Sequence, residues 1–311
     1  MLFIYRTVES ELIFEDTFEK GSWINLINPT EAEIQKVAAG TNISVEMLQY
    51  PLDDEEVSRM EIDEDQTMII FNAPIMTKEE VVYDTIPVGN ILNDDFIVTI
   101  CLEDINLYQE FASTRLKGMA TFKKNRFILQ LFHKKTKLYL KYLRDISNRT
   151  NEIEAAQRTS LSNKGLFRLL NLQKSLVYFT TALHSNAKVM ERLQKSRSIK
   201  KYEEDEDLLE DVIIENTQAI EMAGIYSNIT SNMMNAFASL ISNNLNNAMK
   251  FLTAVTIILA VPTMFASFWG MNVNVPFGAG GGTLLPFFTI CGVAAVICGV
   301  IAIWMNKKGM F

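Results

Sequence analysis

The side chains with chemistry to offer are neutral oxygens, and they gather on one face of one apolar segment. From Asn246 to Asn272 the chain reads NNAMKFLTAVTIILAVPTMFASFWGMN, with Asn246, Thr253, Thr256, Thr263 and Ser267 at spacings of 7, 3, 7 and 4. At ~100° per residue a helix keeps these five within an arc of about 100°. The 19 residues from Phe251 to Trp269 carry no charge, a length that fits one bilayer crossing. Polar groups in hydrocarbon are costly unless they face a partner or water, so the stripe points to a bundle seam or a water-filled path. Taken singly, a hydroxyl in such a helix more often bonds back to the carbonyl one turn earlier and signifies nothing more. The ending adds weight, because Gly270-Met271-Asn272 closes the segment with a flexible residue and a terminal amide, where the last helical carbonyls have no partners. A ring of such ends would face an ion with oxygens. Met249, Leu252 and Ala260 interleave the stripe and would narrow one half of the path into an apolar neck able to gate by dewetting; packing of Met249 and Leu252 on a neighbouring helix is the other reading.

Other chemistries lack their builders. The two histidines, His133 and His184, have no cysteine or carboxylate at ligand spacing, so a zinc-type site is not expected. No phosphate-binding glycine loop, nucleophile motif or paired catalytic acid stands in a recognisable context, and no enzyme is expected. A formal charge of -8 argues against a nucleic-acid partner, which demands a basic face. Amides, hydroxyls and backbone carbonyls suit hard cations such as Mg²⁺. Cys101, Cys291 and Cys298 are too few and too irregular for a disulfide framework and read as packing residues in a reducing compartment. No signal-peptide pattern opens the sequence, so the N-terminal part is expected to stay in the cytoplasm.

The elements that must position the stripe are legible around it. Residues 1–105 carry most of the strand signals: MLFIYRTV, ELIFED and SWINL, then Thr67 to Ile75, Val81 to Ile86 and Phe96 to Cys101. Thr30, followed by Glu31 and Glu33, starts a helix reaching about Thr41. No proline occurs between Pro87 and Pro262, so long helices are expected at Arg126 to Gln157, Gly165 to Lys195 and Glu204 to Trp269. The last would span roughly 90 to 100 Å at ~1.5 Å per residue, as a stalk entering the bilayer. Thr283 to Met305 is a second crossing; Lys250 before the first and Lys307-Lys308 after the second place both ends in the cytoplasm. The expected organisation is α+β: an α/β domain at 1–105, a helical and stalk domain at 106–247, membrane helices at 248–270 and 283–306 joined by an outer loop at 271–282, and a tail at 307–311.

Gly270-Met271-Asn272 on the penultimate hydrophobic segment, preceded by Asn246-x-x-Met249-Lys250-x-Leu252-Thr253, resembles the CorA family of magnesium channels. Trp23-Ile24-Asn25 before a helix, and Arg59-Met60-Glu61 before a strand, look like further landmarks, so the resemblance covers nearly the whole chain. It implies a funnel-shaped homopentamer in the cell's inner or plasma membrane that admits Mg²⁺ or a similar divalent cation passively, with Gly270, Met271 and Asn272 as selectivity filter. Influx or efflux of Zn²⁺, Co²⁺ or Ni²⁺ on the same architecture is the alternative, and a non-conducting helical scaffold the third reading. The family's cytoplasmic Mg²⁺ site maps onto Asp211, with Asp53 and Asp54 as the nearest partners, because Gln49-Tyr50 stands where relatives place an acid. The outer loop also departs from the family, having no acid where relatives usually carry a glutamate.

Overall fold

The computed structural model describes residues 1–9, 11–63, 65–77, 83–106, 120–159, 163–196, 203–270 and 285–308. The chain divides into two compact units, Met1–Met234 and Asn235–Phe311.

The first unit is built on seven strands: β1 (Leu2–Val8), β2 (Glu11–Glu15), β3 (Trp23–Ile27), β4 (Arg59–Asp63), β5 (Gln66–Met76), β6 (Tyr83–Leu92) and β7 (Ile97–Cys101). They lie in the order β2-β1-β3-β7-β6-β5-β4, antiparallel except for the parallel pair β3 and β7. Helices α1 (Glu31–Thr41) and α2 (Val45–Gln49) follow β3. Alternation along β3 sends its side chains to two cores. Ile24 and Leu26 join Ile34 and Val37 of α1 and Met47 and Leu48 of α2 in one cluster. Trp23 and Ile27 join the other, with Phe127, Phe132, Val189 and Met190 from α3 (Lys124–Thr159) and α4 (Asn163–Lys195). The start of α5 (Glu203–Trp269) adds Leu209 and Val212 to that second cluster. The sheet is thus covered on both faces.

Local chemistry sets these elements. Thr30 and Glu33 form a reciprocal capping box at the start of α1, and Asn42 ends the helix in the left-handed region at φ 59°. A polar knot ties sheet to helices: Asn186 Oδ1 accepts from Ser58 Oγ at 2.8 Å and Asn72 N at 2.9 Å, while Asn186 Nδ2 and the Tyr139 hydroxyl both donate to Asn72 O at 2.9 Å. At Gly89 any Cβ would lie 2.1 Å from Pro51 Cγ, so glycine there lets the Tyr50–Leu52 turn rest on the sheet.

One strand is unanticipated and one is longer than expected. Arg59-Met60-Glu61 does stand before a strand, β5, and itself forms β4, with Arg59 opposite Ile70 and Met60 opposite Ile69. β6 does not stop before Pro87 but runs through it to Leu92. β7 pairs with β6 only from Val88 to Leu92, so at Pro87 the strand has a neighbour on one side alone and the missing N–H is tolerated.

The expected long helices are present, α5 having 67 residues and a length of about 100 Å. In the second unit its C-terminal part lies against α6 (Leu285–Lys307), which runs two residues beyond Met305; Thr283 and Leu284, expected to open it, lie outside the described residues. Both helices are long and apolar enough to cross a membrane, and only 6% of either apolar window is buried, unlike the core helix of a soluble protein.

Candidate functional site

Helix α5 runs through Pro262, although proline supplies no N–H to the carbonyl one turn back. That carbonyl is Ile258 O, and Cys298 Sγ of α6 lies 3.6 Å from it. The contact fixes which face of α5 its own chain covers. Ala254 is buried and Ile258, Val261 and Phe265 half-buried, a 4-3-4 spacing characteristic of one helical face. On α6 the matching face is Ile290, Ala294, Cys298, Ile301 and Met305. Cys298, expected only to fill space, therefore has a partner; the signal was Pro262, whose orphaned carbonyl requires one.

The polar stripe lies elsewhere. Asn246, Thr253, Thr256, Thr263 and Ser267 are all exposed, as are Met249 (54%), Leu252 (59%) and Ala260. At 100° per residue the stripe is centred roughly 145° from the face that meets α6. Neither Met249 nor Leu252 packs on the chain's own second membrane-capable helix.

Each hydroxyl of the stripe does what an isolated one would. Thr253 Oγ1 donates to Met249 O at 2.8 Å, Thr256 to Leu252 O at 2.8 Å, Thr263 to Leu259 O at 2.9 Å and Ser267 to Thr263 O at 2.8 Å. These bonds occupy the donors and leave oxygen lone pairs free on the same face. The face thus presents acceptors, the polarity a cation or its hydration water requires. Gly270 N closes the helix on Ala266 O at 3.0 Å and Ser267 O at 3.2 Å. Met271, Asn272 and the outer loop lie outside the described residues.

Charge is almost absent around this path. From residue 222 to 306 Lys250 is the one charged side chain, so the negative polarity this stretch can offer is that of dipoles, chiefly the half-negative C-terminal end of α5.

The three acids expected to sense Mg²⁺ are not gathered within one chain. Asp53 and Asp54 are exposed on the turn after Tyr50–Leu52, where Asp53 Oδ1 accepts from Glu55 N at 3.0 Å. Beside them Arg59 sits 4.6 Å over the Tyr50 ring and 3.4 Å from Glu56 and from Glu61. Asp211 is exposed on α5. Among the described residues no three His, Cys, Asp or Glu side chains converge to hold a metal ion. Cys101 is no candidate ligand, since burial pushes its thiol up to about 12. His133 instead meets Glu215 of α5, at 3.4 Å.

The family model for the CorA-like Mg²⁺ transporter protein matches residues 18–308. The chain belongs to the CorA family. That family is one of ion transporters. The CorA-family sequence is 30% identical over 273 residues to the cobalt/magnesium transport protein CorA of Methanocaldococcus jannaschii, spanning 85% of this chain and 83% of that one. Superposed on the complete CorA magnesium transporter of the same organism, it gives a TM-score of 0.83 at 25% identity over 100% of this chain and 99% of the other. The cytoplasmic domain of ZntB from Vibrio parahaemolyticus shares the fold, with TM-score 0.59 and 12% identity over 78% of this chain and 97% of that domain.

Proposed function

We propose that this CorA-family chain forms a homopentameric, funnel-shaped channel in the cell's inner or plasma membrane, both termini cytoplasmic, passing Mg²⁺ or a similar divalent cation passively inward. The observation that carries the reading is the acceptor stripe from Asn246 to Ser267, turned away from α6 on a membrane-length helix. A solitary hairpin would leave that stripe facing lipid. Several copies can turn it toward a common water-filled axis. Gly270, Met271 and Asn272 form the outer filter: Mg²⁺ parts with water reluctantly, so a neutral amide ring reads its hydration shell without stripping it. Converging helix ends, each worth about half a negative charge, supply the attraction that no side chain does. Met249 and Leu252 form the apolar neck.

Feedback acts through Asp211 of one subunit and Asp53 and Asp54 of the next. Carboxylates crowded across an interface repel, and a bound Mg²⁺ converts that repulsion into a bridge that holds the stalks closed.

The experiment is flux into proteoliposomes loaded with a Mg²⁺-sensitive dye, repeated with Co²⁺, Ni²⁺ and Zn²⁺ as competitors. Saturable Mg²⁺ entry inhibited by Co²⁺ supports the reading, in keeping with a relative whose name couples the two metals. Entry of Zn²⁺ without Mg²⁺ would replace it with transport of soft metals, and absence of any flux would leave a scaffold.

A further inference from the structure

The last 90 residues, 222–311, contain no acid and no arginine; their charges are Lys250, Lys307 and Lys308. These three lie at one level. The contact of Cys298 with Ile258 sets the two helices side by side, and counting eight residues back along α5 reaches Lys250 while counting nine and ten forward along α6 reaches Lys307 and Lys308. At 1.5 Å per residue both routes cover about 12 to 15 Å from the same contact. Buried Met305 and buried Ala254 continue the packed seam toward that level.

All three lysines are exposed, and none makes an ion pair among the described residues. Exposed aromatics flank them: Phe251 beside Lys250, and Trp304 with the Lys308 ammonium 5.9 Å from its ring centroid. Rings next to ammonium groups at the end of a membrane-length helix mark the headgroup level. No Asp or Glu stands in the sequence of their own unit, so an anion from outside it finds these cations open.

We infer that Lys250 and Lys308, with Trp304 beneath them, form a binding site for the phosphate headgroup of an acidic phospholipid, to which Lys307 adds its charge at the same level. The inference rests on the reading of α5 and α6 as membrane-crossing. The shared chemistry is an anionic phosphate; the aromatic floor selects the lipid, because a phosphate carrying acyl chains uses both the ammonium groups and the exposed rings, whereas a free phosphate uses only the former.

The test reconstitutes the full chain in vesicles of equal phosphatidylglycerol and phosphatidylcholine, extracts it in mild detergent and measures the ratio of the two lipids retained. Wild type is expected to hold phosphatidylglycerol in excess. The triple variant K250Q/K307Q/K308Q should lose that excess by about tenfold or more, since one lysine near an anionic surface is worth roughly fivefold. K250R/K307R/K308R should keep it and controls for folding, as does an unchanged oligomer size. An equal ratio in wild type and the glutamine variant overturns the site. Displacement of the lipid by an equal concentration of inorganic phosphate overturns the lipid as its occupant. A chain that fails to float with the vesicles at high salt instead refutes the membrane-crossing reading, an outcome separable from both.

Discussion

Cys298 Sγ stands 3.6 Å from the carbonyl oxygen of Ile258, the same carbonyl that Pro262 deprives of its helical donor. In hydrocarbon no water is on hand to satisfy such a group, so a neighbouring helix must. The thiol is a weak donor, but it is the one supplied. Cys298→Ala should cost about 0.5–1 kcal/mol in unfolding of the detergent-solubilised protein. Pro262→Ala restores the amide, so Cys298→Ala made in that background should cost close to nothing. Additive effects in this double-mutant cycle would show that thiol and carbonyl are not coupled.

On the polar face, Asn272→Ala should abolish selective Mg²⁺ flux with folding and oligomer size intact. Thr263→Val removes one acceptor from each copy of the stripe; a loss of about 1 kcal/mol there is worth roughly fivefold in rate. Met249→Asp or Leu252→Asp should raise basal leak by wetting the neck. Dye-loaded proteoliposomes measure all of these. Unchanged leak in both neck variants would return Met249 and Leu252 to a packing role.

For the regulatory acids the readout is proteolysis. Millimolar Mg²⁺ should protect the purified wild type, and Asp211→Lys should remove that protection. Equal protection of both would take Asp211 out of the sensing site.

Asp205, in the first turn of α5, has 5% of its side chain exposed and lies 3.6 Å from Arg126 Nη1, with Oδ1 lacking a hydrogen-bond partner. Burial pushes its carboxyl above the ordinary carboxylate range, Arg126 notwithstanding. The folded chain thus holds a proton that the unfolded chain releases more readily. The stabilising contribution is present at low pH and is lost as pH rises from the ordinary carboxylate value through the raised one. Asp205→Asn should flatten that part of the stability curve and raise the melting temperature at pH 7. A curve parallel to wild type would refute the assignment.

What the sequence revealed, and what it hid, divides along physical lines. Thr30 with Glu33 announced α1, and the proline-free stretch announced the long helices, because capping and helix continuity are local properties. β4 itself and the C-terminal extent of β6 were missed because pairing decides them: Arg59 becomes a strand residue through Ile70, and Pro87 is tolerated through what β7 does not cover. The stripe was legible from periodicity alone. Its relation to α6 was not, since which face of α5 is covered depends on Cys298, forty residues further along the chain than the carbonyl it reaches.

The hydroxyl ladder of α5 also bears on protons. A relay that hands protons along a row of oxygens needs each member to accept from one side and donate to the other. Thr253, Thr256, Thr263 and Ser267 have all spent their donors backwards on their own helix. Between them stand no acid and no histidine to pick a proton up. The face can offer lone pairs to a passing cation, but its hydroxyls do not by themselves make a continuous donor–acceptor chain for protons.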